Sequence, residues 1–145
     1  MKPVACIFCD IVAGRAPAAW VARSGVAVAL VDPRRAQAGH VLVIPTRHVE
    51  RFHELDDASA GGMMSLAVRV AAALQVTFDP EGLSLWQSNG AAAGQEVPHV
   101  HLHLMPRTRG DGLLQVYPGT VPPPDAGLAE RERVAARLRA ALGDH

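Results

Sequence analysis

His99, His101 and His103 alternate with Val100, Leu102 and Leu104. On an extended strand, neighbouring side chains point to opposite faces. The spacing therefore sets three imidazoles on one face and three aliphatic chains on the other. The aliphatic face can enter a core. The imidazole face gains little from burial, and each ring needs a hydrogen-bond partner, a metal or water. Two kinds of chemistry fit this pattern. Imidazoles two residues apart can share one metal ion. A neutral imidazole can also attack phosphorus near pH 7, or move protons to and from the reacting group.

The residues just upstream favour the second reading. Asn89-Gly90 and Gly94-Gln95 flank a loop of small residues that runs into the histidines. Glycine lets a backbone approach a ligand closely and turn its N–H groups towards an anion. Ahead of three histidines, such a loop points to a phosphate held against an imidazole. A second cluster is Cys6-Ile7-Phe8-Cys9. Cys-x-x-Cys can be a redox pair or half of a zinc site. The redox motif normally follows a strand of a βαβ unit, and only five residues precede Cys6. A closed tetrahedral zinc site needs two ligands beyond the thiolates, and the pair alone does not name them.

These residues need elements to position them. Residues 6–13 read as a short helix ended by Gly14, and 19–23 and 26–32 as strands joined by a Ser24-Gly25 hairpin turn. Residues 40–45 form the clearest strand, ended by Pro45. Over 57–78, Met63, Ala67, Val70, Leu74 and Phe78 recur every three or four positions and trace one stripe of a long helix. Residues 83–89 and 99–105 read as two further strands, the second ended by Pro106. Residues 118–124 (PGTVPPP) are too rich in proline for either regular structure, and 128–142 read as an amphipathic helix. On that helix Leu128, Ala135, Leu138 and Leu142 share one side, and Arg131, Arg133, Arg137 and Arg139 mostly face solvent. The pattern predicts an α+β fold: a mainly antiparallel five-stranded sheet, one long helix and short terminal helices.

Composition narrows the partners. The chain has 145 residues, room for one compact domain and little else. Its 14 basic and 14 acidic residues cancel, which argues against a protein that coats nucleic acid or an anionic membrane. Two cysteines three positions apart cannot staple a chain of this length, so a reducing, cytoplasmic setting is expected. The first residues do not read as a signal peptide, and the apolar stretches read as too short to span a membrane.

At this point the sequence resembles a known family. GQEVPHVHLHLMPR (94–107) is similar to the signature of the histidine-triad (HIT) family, His-x-His-x-His followed by two apolar residues. CIFCDIVAGRAPA (6–18), ALVDPRRAQAGHVLVIPTRH (29–48) and LWQSNGAAAGQ (85–95) resemble the family's other landmarks, in its order and at its spacing. The Cys-x-x-Cys pair and Asp32 point to the Hint-like nucleotide-binding branch. The resemblance implies a histidine-triad domain over 1–117. A Pro-rich segment and helix over 118–145 would pack on it or on a partner copy in a homodimer.

The resemblance also implies a purine nucleotide as partner, and hydrolysis of nucleotidyl conjugates, such as nucleoside phosphoramidates, at the α-phosphate. His101 would be the nucleophile, with His103 beside the phosphate and His40 close to the triad. Asn89, Gly94, Gln95 and the backbone around Glu96 and Val97 would cradle phosphates. Asp32 would hold the ribose, and Ile7, Phe8, Ile11, Leu30 and Val31 would surround the base. Cys6, Cys9, His48 and His99 would bind a structural zinc. Two departures stand out. Glu96 occupies a position that is often a small hydroxyl residue, and its charge opposes phosphate unless it turns away. Pro98 removes an N–H just before the triad. His53 and His145 carry no motif and read as surface residues. Hydrolysis of dinucleoside polyphosphates and non-catalytic nucleotide sensing are the competing readings.

Overall fold

Ser24 closes the first hairpin. Its N–H donates to the Ala27 carbonyl at 2.8 Å, and its hydroxyl accepts from the Ala27 N–H at 3.1 Å. This joins Trp20–Arg23 (β1) to Ala27–Val31 (β2). β2 pairs along its whole length with Val41–Pro45 (β3), from Ala27 opposite Pro45 to Val31 opposite Val41. β3 pairs with Leu102–Arg107 (β5), which pairs in turn with Gly82–Trp86 (β4). All neighbours are antiparallel, in the order β1-β2-β3-β5-β4. The computed structural model describes residues 5–34, 37–117, 119 and 121–143.

The last strand departs from the sequence reading at both ends. The sequence predicts 99–105, but His99, Val100 and His101 precede the ladder. The last β3–β5 pair is Val43 with Leu102. Continued two steps, that register would set Pro45 opposite Val100, and Pro45 has no N–H to offer. The Val100 N–H donates instead to the Val49 carbonyl at 2.7 Å. At the other end, Pro106 lies inside the strand. It pairs with Leu83 of β4, beyond Val41–Leu104 where the β3 ladder stops, so its missing N–H faces no second neighbour. The strand expected at 83–89 ends at Trp86, because the Gln87 amide turns to its own segment and donates to the Ser88 carbonyl and Asn89 Oδ1.

Both sheet faces are covered, so β2 and β3 are apolar throughout. Ala27, Ala29, Val41, Val43, Val100, Leu102 and Leu104 pack with the long helix Asp57–Phe78 (α2). Val28, Leu30, Leu42 and Ile44 pack on the other face with Cys6, Phe8 and Ile11 of the N-terminal segment, whose helix is Ile7–Val12 (α1). Asp56 caps α2 by accepting from the Ser59 N–H at 2.7 Å. The buried stripe of α2 is Met63, Leu66, Ala67, Val70 and Leu74, and each of the four larger side chains contributes about 1.5–3 kcal/mol by leaving water. Phe78 was expected on this stripe and is instead 46% exposed, with one ring edge over Gly39. By length and composition α2 would suffice to cross a membrane, contrary to the sequence reading, but its stripe is already committed to the sheet.

The chain divides into two compact units, Met1–Asp111 and Gly112–His145. The second contains the helix Leu128–Leu142 (α3), which has no buried residue; Leu128, Leu138 and Leu142 are all exposed. Pro118 and Thr120 of the Pro-rich stretch, and His145, lie outside the described residues.

Two adjacent glycines in α2 give a test of this packing. A Cβ on Gly61 would meet nothing, whereas one on Gly62 would collide with the stiff Val26 side chain. Gly61→Ala should stabilise the protein by about 0.5–1 kcal/mol through helix propensity. Gly62→Ala should destabilise it despite the same propensity gain. Chemical denaturation of both variants checks the sign, and equal shifts would show that α2 does not sit this close to Val26.

Candidate functional site

The histidines keep the alternation that the sequence prescribes, on the α1 side of the sheet. Phe8 of α1 meets the His99 and His101 rings edge-on, at 5.7 and 5.2 Å between centroids. His103, opposite Leu42 on β3, lies 4.8 Å from the His101 ring.

Hydrogen bonding to carbonyls assigns two of the ring tautomers. A carbonyl only accepts, so His101 Nδ1, 2.7 Å from the His99 carbonyl, carries the hydrogen and Nε2 keeps its lone pair. By the same rule His99 Nε2 donates to the Pro45 carbonyl at 3.0 Å. Its Nδ1 lone pair then faces the sulfurs of Cys6 at 3.5 Å and Cys9 at 3.6 Å.

Burial pulls His40, His99, His101 and His103 below the ordinary imidazole range. For His103 it acts together with the neighbouring His101 and His40, and the value falls to about 4. Burial therefore favours the uncharged form of each ring, with one lone-pair nitrogen. His103 Nδ1 and His40 Nε2 share a hydrogen at 2.9 Å. His40 Nδ1 faces Asp32 Oδ2 at 3.8 Å. Among the described residues it is the one buried side-chain nitrogen or oxygen with no hydrogen-bond partner. Asp32 is itself buried, and its Oδ1 accepts from the Arg34 N–H at 2.8 Å. Asp32, His40 and His103 thus form a row that runs from two buried residues to the partly buried His103.

The loop before the triad holds itself in shape. Gly90 and Gly94 adopt φ values of +77° and +87°, which side-chain-bearing residues rarely take. Asn89 Oδ1 accepts from the Phe52 N–H at 2.9 Å, and Gln95 Oε1 accepts from the Gly90 N–H at 2.7 Å. The Gln95 amide donates to the Glu50 carbonyl at 2.9 Å. Both side chains therefore tie the loop to residues 50–52. Glu96 turns outward to Arg34, whose Nη2 lies 2.6 Å from its Oε2. Val97 packs against the α1-side core.

The residues expected around a base separate. Phe8, Ile11 and Leu30 are buried in the α1-side core, and Ile7 on α1 is about half exposed. Val31 is not brought to this side. It lines a cavity of about 350 Å³ on the α2 face with Val21, Gly39, Val41 and Phe78. One residue with no assigned role in the sequence reading stands against the triad. Trp86 stacks on His103 at 4.3 Å and 3° between planes, and on His40 at 5.5 Å. The register of β4 against β5, which pairs Trp86 with His103, brings it there. His53 is exposed.

Beside the triad lies a second cluster. Cys9 Sγ is 3.3 Å from His48 Nδ1, and the ligand atoms of Cys6, Cys9, His48 and His99 all lie within 4.8 Å of one another. Burial and the adjacent Cys6 push the Cys9 thiol up to about 11. A metal cation beside the Cys9 sulfur would favour its thiolate.

Residues 13–110 match the HIT domain. The chain belongs to the HIT family. It is 39% identical over 113 residues to the "Protein hit" of Bacillus subtilis, covering 77% of this chain and 78% of that one. It is 33% identical over 137 residues to an adenosine 5'-monophosphoramidase of Schizosaccharomyces pombe, covering 94% of this chain and all of the relative. Among solved structures, a HIT family protein from Bacillus subtilis superposes with a TM-score of 0.86 at 30% identity, covering 97% of this chain and 99% of that one. A zinc-bound histidine triad family protein from Mycobacterium smegmatis superposes with a TM-score of 0.69 at 34% identity, over 94% of this chain and 92% of that one. The five-stranded antiparallel sheet with its helices is the fold of these HIT neighbours.

The lowered imidazoles set a pH dependence for the HIT domain. Between an ordinary value near 6.5 and the folded value of about 4 for His103, the unfolded chain binds the proton and the folded chain does not. Stability should therefore fall as pH drops through that window. Thermal unfolding of wild type and His103→Gln between pH 7 and about 4 should give a shallower slope for the variant. Identical slopes would contradict the burial-driven shift.

Proposed function

We propose that this chain binds a purine nucleotide and hydrolyses nucleotidyl conjugates, phosphoramidates or similar, at the α-phosphate, with His101 as the nucleophile. The observation that carries this reading is the hydrogen bond from His101 Nδ1–H to the His99 carbonyl, which leaves Nε2 as the only lone pair on a neutral ring. In the first step Nε2 bonds to phosphorus and the bond to the leaving group breaks. The leaving group takes a proton from solvent water, with the His103–His40 pair placed to relay it, and the water that attacks in the second step returns that proton. Water then cleaves the phosphorus–nitrogen bond and frees His101 for a further cycle. Relatives named adenosine 5'-monophosphoramidase, at 33% and 34% identity, support the substrate class. Asp32 would take the ribose hydroxyls, Ile7 and its buried neighbours would face the base, and the loop from Asn89 to Val97 would hold the phosphates.

Cys6, Cys9, His48 and His99 fit a structural zinc. Ligands about 2.0–2.3 Å from a tetrahedral metal stand about 3.3–3.8 Å apart, and the sulfur–nitrogen distances of 3.3, 3.5 and 3.6 Å fall in that range. A four-ligand zinc has no open position, so it would fasten α1 to the end of β3 and the start of the triad and perform no chemistry. The His99–Pro45 bond orients that ligand in advance. A homodimer belongs to the same reading. It is supported by apolar Leu83 and Leu85 on edge strand β4 and by Met64 and Val68 on the outside of α2, all exposed.

Incubation with adenosine 5'-phosphoramidate, rapid denaturation and mass spectrometry should find AMP on His101. His101→Ala should lose the adduct and reduce turnover on the order of a thousandfold or more. An adduct that persists in the variant would remove His101 from the role. Separately, purified protein should carry about one zinc per chain. Cys6→Ser should lose it and unfold at lower temperature, while His101→Ala keeps it. Metal-free wild type of unchanged stability would sink the zinc reading.

A further inference from the structure

Arg34 reaches across the histidine site from the ribose side to the loop before the triad. It stands two residues after the buried Asp32, whose Oδ1 accepts its N–H at 2.8 Å and lies 3.8 Å from its Nε. The root of the side chain is thus fixed. Its head pairs with Glu96 at 2.6 Å, in an ion pair whose two side chains are 59% and 65% exposed. A pair this open to water contributes little to folding. Its guanidinium can therefore change partner without cost to the fold.

The charges explain why it would. Asp32 and Glu96 set two carboxylates around the place where the proposed reading puts a phosphate, and the Arg34 cation lies between them. Without Arg34, an anionic substrate would meet net repulsion. With it, a planar cation with several donors stands ready for the geometry of a phosphate or carboxylate.

We infer that Arg34 selects conjugates whose leaving group is anionic, exchanging Glu96 for a phosphate or carboxylate carried beyond the α-phosphate. The inference rests on the nucleotide reading of the site. Glu96 holds the guanidinium in place while the site is empty and swings into water when the exchange occurs. An uncharged leaving group offers no such exchange, so the Arg34–Glu96 pair stays closed and adds nothing to binding.

Two measurements test this, one for each anion. Calorimetry gives Kd for AMP and ADP, which differ by the second phosphate. Steady-state kinetics give the ratio of kcat/KM for the AMP phosphoramidates of β-alanine and propylamine, which differ by a carboxylate. Arg34→Gln should weaken ADP about tenfold more than AMP, the loss of one charge-assisted contact, and lower the conjugate ratio towards one. Glu96→Gln should tighten ADP and raise the ratio. An effect on ADP alone identifies phosphate as the anion, and an effect on the ratio alone identifies carboxylate; either supports the inference. Equal weakening of AMP and ADP with an unchanged ratio would overturn it. If wild type binds AMP and Arg34→Gln changes nothing, this inference alone fails. If wild type binds neither nucleotide, the nucleotide reading fails and the role of Arg34 falls with it.

Discussion

The geometry of this protein turns on His99, which makes one commitment with its ring and another with its backbone. The ring donates through Nε2 to the Pro45 carbonyl and offers Nδ1 to two sulfurs. The carbonyl accepts from His101 and so decides which nitrogen of that ring is free. Shifting His99 would therefore disturb both clusters at once. The residue is fully buried, with Phe8 and His48 against its ring, so packing and hydrogen bonding hold the same position.

This dependence gives the N-terminal segment a purpose beyond covering the sheet. α1 is only six residues long and would not persist alone in water. It is held by Phe8 and Ile11 in the core and by the cysteines beside His48 and His99. Through Phe8, the same short helix also walls one side of the His101 ring. Residues far apart in the chain thus meet around two imidazoles separated by one valine.

Much of this was legible in the sequence because period-two alternation is a strong physical signal. Val100, Leu102 and Leu104 did enter the α2-side core, and the imidazoles did turn to the opposite face. The signal fails where both faces of a strand are apolar. Residues 26–31 are aliphatic throughout, so nothing in them says that Leu30 faces α1 while Val31 faces the α2 cavity. Proline marked a strand end in one case and not in the other. Pro45 stopped one ladder, whereas Pro106 continued against β4 alone. The Arg34–Glu96 pair and the Trp86 stack join segments that pattern cannot connect. Only the strand register and the loop path bring them together.

The Trp86 stack has an optical consequence. The chain has two tryptophans, and the other, Trp20, sits on edge strand β1 under the Arg23 guanidinium. Trp86 lies 4.3 Å above an imidazole whose surroundings a ligand at the triad would alter. An indole so placed feels that change directly as a shift in its local field. The site therefore carries its own chromophore, and its emission can follow events at His103 in unlabelled protein.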